Sequence, residues 1–394
     1  MRNEAIEFCK RLGVDFFEEL VPHYEEAKAN MERIVPRMFD KERIISFNNK
    51  YNVFRHIFDE VLAAFDEIRG DDDLVLFNCV LWSIIKSGKR TGKIMPAPRG
   101  VSGKTDFSPA PGVLFFLEEG AEILEKRHLP LGIISDSISG IESEMLAYFD
   151  MHGRYGMRDY VDWYLYFIRG EIIRVGRLQY QHVKFSDRYR VFKKGDDVAI
   201  FPNNIEMHKD GSEFGTLGQT DEEGKYIAEC KVEGGKVTGY RADRYGEVAP
   251  TPVTLEGYTE AVCAGDNLFS MHITNGEPFN IELILESFAE CDKVIEKYYS
   301  DLDIKGYIGF SWVFNKHLRD IMGKDTNITM LADLFEIYPL RSGHHGIYEY
   351  VFSVPGDTPL TELPERTSMQ RAIKKYLLDG NYFIEKSAIK LINK

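Results

Sequence analysis

Along the first 155 or so residues, apolar positions recur three and four apart. Phe54, Ile57, Phe58, Val61, Leu62 and Phe65 keep this spacing, and Leu74, Leu76, Cys79, Leu81 and Ile84 follow it more loosely. It is the period of a helix with one buried face. Strand-type alternation is scarce here. A Gly/Pro/Lys-rich loop is expected from Ser87 to Pro111, with helices resuming over 112–128 and 136–152, the second opened by the capping residues Asp136 to Ser139. One more amphipathic helix carries Tyr160, Trp163, Tyr164, Phe167 and Ile168 and stops at Gly170. The period then changes to two. Residues 171–185 read as one long strand, 191–265 as short Gly-rich strands with a hairpin at Gly234-Gly235, and 267–273 as a strand in which Phe269, Met271 and Ile273 alternate with Leu268, Ser270 and His272. A turn over 274–278 leads to a helix with Asn280 as N-cap. A strand over 305–314, short helices over 317–322 and 327–335, a strand over 346–354 and a basic-faced helix over 366–378 complete the pattern.

The change of period divides the chain into a helical domain, 1–155, and a domain of sheet and helices, 156–394, an α+β class overall. A length of 394 residues suits two domains. A net charge of −14 excludes a general nucleic-acid or membrane-surface binder, which needs a basic face. The charged N-terminus, and the lack of any apolar run near twenty residues, imply a cytoplasmic protein. Five widely spaced cysteines without a C-x-x-C pair are expected as reduced core thiols. The histidines lack metal-ligand spacing, so no metal is expected.

Candidate chemistry concentrates in Asn267 to Tyr299. A helix that starts straight off a strand end presents unpaired backbone N–H groups and a partial positive charge, which suits a diphosphate. Glu277 and Glu282 oppose this, because they already complement the helix dipole. In 171–185, Arg177, Gln179 and Gln181 share one face of an apolar strand, so either a structural network or a ligand must satisfy them. Arg174, Arg177 and Lys184 offer charge to an anion, or are solvated at an edge. Gly103-Lys104-Thr105 imitates the end of a phosphate-binding P-loop, but Pro98 stands where the first glycine belongs.

Five words in order give the second half a family likeness: Gly176-Arg177-Leu178-Gln179-Tyr180; His272-Ile273 with Gly276 and Pro278; Ser311-Trp312; Asn327-Ile328; and Thr367 through Ile373, TSMQRAI. Over roughly 130–380 the chain resembles the bacterial GNAT-like acyltransferase-domain proteins that carry a helical N-terminal domain. It departs from the usual pattern where Gly309-Phe310 precedes Ser311-Trp312, and where HITNGEP replaces the pyrophosphate turn. The resemblance implies a GNAT-like mixed, mainly antiparallel sheet flanked by helices, acyl-CoA or acetyl-CoA as co-substrate, and a small amine as acceptor, with no nucleic acid or membrane partner. It places the cofactor against Ile273, Thr274, Asn275, Gly276 and Asn280, with Arg177 nearby. The strands 267–273 and 305–314 would splay to hold the pantetheine, with the polar sides of both lining the wedge.

An amine attacking a thioester must lose a proton, and His272 has the suitable ordinary pKa, unless it serves only to bond a neighbouring backbone group. Ser311 suits an oxyanion or cofactor donor better than a nucleophile, and Tyr338 or Tyr348 is a candidate acid for the leaving thiolate. Trp163 and Trp312 read as core. The alternative function is a non-catalytic small-molecule binding or scaffolding protein on a degenerate GNAT fold. Oligomeric state is not encoded in any feature of the pattern.

Overall fold

The computed structural model describes residues 1–89, 106–157, 161–219, 223–274, 277, 279–342 and 346–392. The P-loop imitation at Gly103-Lys104-Thr105 lies outside them. Two compact units are present: residues 1–175 with 274–276, and residues 176–273 with 277–394.

The first unit is helical. Its elements are α1 (Arg2–Leu12), α2 (Leu20–Met38), α3 (Lys41–Tyr51), α4 (Phe58–Arg69), α5 (Asp72–Lys86), α6 (Ala110–Leu114), α7 (Leu117–Lys126), α8 (Leu131–Ile138), α9 (Gly140–His152), α10 (Asp162–Ile168) and a short strand β1 (Ile172–Val175). Helix α5 is deeply covered, with Leu74, Phe77, Cys79, Leu81 and Ile84 all at 1% exposure or less. Its one buried amide, Asn78, donates to Leu74 O and Ser108 O and accepts from Gly112 N–H. The helix expected over 136–152 is instead two, α8 and α9, meeting at Ser139. Asp136 and Ser135 do not open a helix there; their side chains bond Arg55. Glu142, 3% exposed, accepts the backbone N–H groups of Arg55, His56 and Ile57 at 2.7, 2.6 and 3.1 Å, and so caps the approach to α4.

The second unit contains β2 (Leu178–Lys184), β3 (Tyr189–Lys194), β4 (Asp197–Pro202), β5 (Ile205–His208), β6 (Lys225–Ala228), β7 (Cys230–Glu233), β8 (Lys236–Gly239), β9 (Val253–Glu256), β10 (Thr259–Val262) and β11 (Asn267–Ile273). These are followed by α11 (Ile281–Tyr298), β12 (Gly306–Ser311), α12 (His317–Met322), α13 (Asn327–Ala332), β13 (Glu336–Tyr338), α14 (Ser368–Leu378) and β14 (Lys386–Leu391). Five of the strands lie side by side in the order β2, β11, β12, β14, β13. Strands β11 and β12 are parallel and the other neighbours antiparallel. Smaller sheets are β10-β3-β4, β7-β8-β9 and β5-β6. The Gly234-Gly235 hairpin forms as expected, with φ values of 56° and 76° that glycine adopts without strain.

Further elements differ from the sequence expectation. Residues 171–185 are two strands, β1 and β2, because Gly176 takes φ 61° and turns the chain. Residues 346–354 form a π-helical turn, Tyr348–Phe352, closed by Ser353 at φ 55°; aromatic strand propensity is overridden by helical packing of Ile347 and Val351. The C-terminal strand β14 has no counterpart in the expected pattern, since its buried positions include Lys386 and Ser387.

The large sheet has two distinct faces. Rings of Tyr180, Phe269, Tyr307 and α11 Phe288 pack together on the helical face, with Tyr307 and Phe288 centroids 4.8 Å apart. On the other, Leu268, Ile308, Tyr338 and Ile389 share a core with Val191 of β3, Ile200 of β4 and Val262 of β10. Ser287 of α11 fixes the helix to β2 by accepting Leu178 N–H at 3.2 Å and bonding Tyr180 OH at 2.8 Å.

Candidate functional site

The geometry that matters is the way β11 and β12 separate. Lys305 N–H donates to Asn267 O, and register pairs continue through Phe269↔Tyr307 to Ser270↔Ile308. There the pairing ends, although β11 stays paired to β2 as far as Ile273 and β12 stays paired to β14 as far as Ser311. Met271 to Ile273 therefore diverge from Gly309 to Ser311, opening a wedge at the carboxyl ends of two parallel strands.

Register fixes which side chains look into which side of that wedge. Ser270 is level with Ile308, so Ser270 and His272 share the β-packed face with Ile308 and Phe310. Tyr307, Gly309 and Ser311 are on the helical face. The expectation that the polar sides of both strands line one side of the wedge is thus corrected: His272 and Ser311 point from opposite faces. His272 is half-buried and shares a 3.2 Å hydrogen bond, through Nε2, with Gln181 Oε1 of β2, across the pair that also sets Gln179 opposite His272. Burial pulls the imidazole pKa down to about 4. Ser311 ends β12, and its Oγ accepts Val313 N–H at 3.2 Å to start the 3₁₀ turn Trp312–Phe314. Tyr338, 3% exposed, lies 4.7 Å from the Tyr189 ring and bonds Ser387; burial raises its pKa. It is three strands away from His272, about 14 Å at ordinary strand spacing, so those two side chains do not meet. Tyr348 begins the π-helical turn.

The start of α11 is capped from within. Asn280 Oδ1 accepts Glu282 N–H at 2.7 Å. Asn327, at the start of α13, accepts Ile281 N–H at 3.3 Å and donates to Phe279 O at 2.9 Å. The Ile281 and Glu282 amides expected to be vacant are therefore engaged, though Asn327 is itself exposed. Arg177, 5% exposed, donates to Glu277 O at 2.9 Å, so its guanidinium belongs to a structural network that holds the approach to α11. Ile273 is half-buried and Thr274 buried; Asn275 and Gly276 lie outside the described residues. The residue that sequence reasoning passed over is Phe310, an aromatic 51% exposed at the parted end of β12. Its type alone reads as core; only the divergence of the strands marks it.

A protein-family model described as "GNAT-like C-terminal domain" matches residues 172–387. The chain belongs to this family. The GNAT-like domain so identified contains the wedge, α11 and all of the candidate residues. Among solved structures, an acyltransferase in complex with decanoyl-CoA matches with a TM-score of 0.60 at 14% identity, covering 99% of both chains. An acyltransferase mutant in complex with octanoyl-CoA matches with a TM-score of 0.59 at 16% identity, covering 89% of this chain and 88% of that one. An acyltransferase in complex with CoA and 10C-Teicoplanin gives 0.58 at 15% identity, covering 88% and 87%. At such identities the likeness is one of fold. No curated protein matches the chain. Among the described residues, no helix is long and apolar enough to cross a membrane, and no GNAT-like domain residue joins a cluster able to hold a metal ion.

Proposed function

We propose that this protein is an acyl-CoA-dependent N-acyltransferase that transfers its acyl group by direct attack of a small amine. The observation that carries this reading is the loss of register between β11 and β12 beyond Ser270↔Ile308 while both strands remain paired on their outer sides. Parallel strands whose pairing ends in this way can take an extended amide-bearing chain by β-like hydrogen bonds. Pantetheine is such a chain. The acyl-CoA ligands of the structurally similar acyltransferases support the same assignment.

In this reading the thioester lies at the parted ends, with His272, Gln181 and Phe310 on the β-packed side. The amine nitrogen bonds to the thioester carbonyl carbon, the C–S bond breaks, the ammonium proton leaves to a base, and the thiolate is protonated on release. His272 is the base best placed on this side. Its Nε2 bonds Gln181 Oε1, and its lowered pKa keeps the ring neutral at pH 7. That same low value makes it a weak acceptor, so the amine is best taken up already uncharged. Ser311, on the helical side, is suited to hydrogen-bonding the cofactor. Ile273, Thr274, Asn275, Gly276 and Asn280 complete the proposed cofactor-binding segment, with Arg177 holding it in place through Glu277.

The internal capping of α11 favours a second reading, a binding protein that keeps the fold without catalysis. Calorimetric titration with CoA and acyl-CoAs, followed by a thiol-release assay with small amines, separates the two. Binding with amine-dependent thiol release supports the transferase. Binding with no release from any amine supports the second reading, and indifference to every CoA form overturns both. His272→Asn is expected to lower turnover by about a hundredfold or more while leaving CoA binding measurable.

A further inference from the structure

The strand face that carries Arg177, Gln179 and Gln181 needs polar partners, and the fold supplies them to only two of the three. Arg177 donates to Glu277 O, and Gln181 Oε1 bonds His272 Nε2. Gln179 receives none: it is 4% exposed, and its side-chain amide makes no hydrogen bond among the described residues. Ser270 of β11 repeats the pattern, 3% exposed with an Oγ that bonds no described residue. The register brings these side chains together. Gln179 is directly opposite His272 and Gln181 directly opposite Ser270, so the four form a block of two by two on the β-packed face. One diagonal, Gln181 to His272, is joined, and the other, Gln179 and Ser270, is left open. The polar atoms of both remain in touch with the accessible surface. On the next strand Ile308 is level with Ser270, and beyond it Phe310 stands 51% exposed where β12 parts from β11.

A buried amide and a buried hydroxyl without partners cost free energy in the folded chain, and a ligand that bonds them recovers it. The chemistry of the block narrows that ligand. Gln179 offers N–H donors and a carbonyl acceptor, and Ser270 a hydroxyl that can do either, so the complement is a group that both donates and accepts. No carboxylate or cation belongs to the block, and His272 is neutral at pH 7, so a charged group would be desolvated there without a counter-charge. Opposite residues of an antiparallel pair have Cβ atoms about 5 Å apart, which sets the distance between a group held by Gln179 and a nitrogen held at His272. We propose that Gln179 and Ser270 form an acceptor subsite that hydrogen-bonds a neutral amide or hydroxyl group of the amine, about two or three bonds from its reacting nitrogen. Gln179 then sets acceptor specificity. This rests on the acyl-CoA reading above and specifies the class of its acceptor.

The test compares glycinamide, ethanolamine and propylamine, small amines of which only the first two carry such a group. In protein with excess CoA, the side-chain amide resonance of Gln179, assigned by its disappearance in Gln179→Met, should move on titration with glycinamide or ethanolamine and hold still with propylamine. In thiol-release assays with acetyl- or octanoyl-CoA, Gln179→Met should lower kcat/KM for ethanolamine relative to propylamine by about tenfold or more, the loss of one hydrogen bond. Comparing the same two amines in both proteins cancels their different basicities. Ser270→Ala should move that ratio in the same direction, by about threefold or more. Thermal melts should show Gln179→Met to be no less stable than the natural protein, because it loses no internal bond. A resonance that responds alike to all three amines, or to none, overturns the subsite, and so does a lowered melting temperature of Gln179→Met, which would reveal an internal partner. If the resonance moves with the two polar amines while no amine releases thiol, the subsite stands and the transferase reading falls.

Discussion

At the scale of single residues, a half-buried histidine and a buried lysine set a pH dependence in opposite parts of the range. His272 binds its proton with a pKa of about 4 in the folded chain, below the ordinary 6.5 of an unfolded histidine. Between those values the unfolded state holds more protons, so stability rises with pH from about 4 to 6.5 and is lost as pH falls through that window. The largest effect is about 3 kcal/mol. Denaturant melts at pH 7 and pH 4.5 should show the loss in the natural protein and much less of it in His272→Asn; equal losses in both would assign the effect elsewhere. Lys386 behaves differently. It is 4% exposed, donates to Gly246 O at 2.8 Å, and burial brings its pKa down to about 8, against the attraction of Glu247. Below pH 8 both folded and unfolded chains hold that proton and the cost of burying the charge is complete; above it the cost is relieved up to about 10.5. Lys386→Met is therefore expected to stabilise the protein by about 1–2 kcal/mol at pH 7, since a buried charge is replaced by an apolar chain of similar length and only one hydrogen bond is lost. A melt showing destabilisation would mean that the ammonium is held by more than Gly246.

At the scale of elements, the start of α11 decides how a diphosphate could be bound. Asn327 occupies the Ile281 amide, but from an exposed position, and a net hydrogen bond of that kind contributes only about 1 kcal/mol. A phosphate can displace it. Asn327→Ala should therefore raise the affinity for CoA relative to pantetheine, which lacks the diphosphate; an unchanged ratio would place the diphosphate away from Ile281. Glu142 is the contrasting case. Its carboxylate is buried on three backbone N–H groups, so Glu142→Ala should cost about 3 kcal/mol in a denaturant melt.

The same elements show what a sequence can and cannot convey. The β11–α11 unit was legible because each period is internal to one segment: Ile281, Ile284, Phe288, Cys291 and Ile295 are all buried on α11. The α14 helix was legible too, although its start was expected at 366 and lies at Ser368, where the Thr367–Gln370 capping box sets it. The site was legible only as far as single strands go. Alternation puts His272 on one side of β11 and Ser311 on one side of β12, but the relative phase of the two is set by the Ser270↔Ile308 pair, which no local pattern specifies. Residues that depend on a third element, such as Phe314 folded over Gly309 or Tyr338 sunk among Tyr189 and Ser387, were out of reach for the same reason.

At the scale of the whole molecule, the charge of −14 acts on any polyanionic ligand. CoA carries several negative charges, and at low ionic strength the field of the protein extends about 30 Å, while at 0.15 M salt it is cut to about 8 Å. A ligand approaching from solution is then repelled by the summed charge at low salt and responds mainly to nearby groups at high salt. Near the wedge those groups are largely paired: Arg177 with Glu277, Lys316 with Glu247, Arg319 with Asp333. Among the described residues, the cations named here are all paired and do not offset the overall field. The association rate constant for CoA, measured by stopped flow, should accordingly rise about severalfold as ionic strength goes from 0.01 to 0.15 M, the reverse of a basic cofactor site. A rate that falls over that range would mean that a positive surface beyond these pairs steers the cofactor in, and would move the search for its phosphate contacts away from α11.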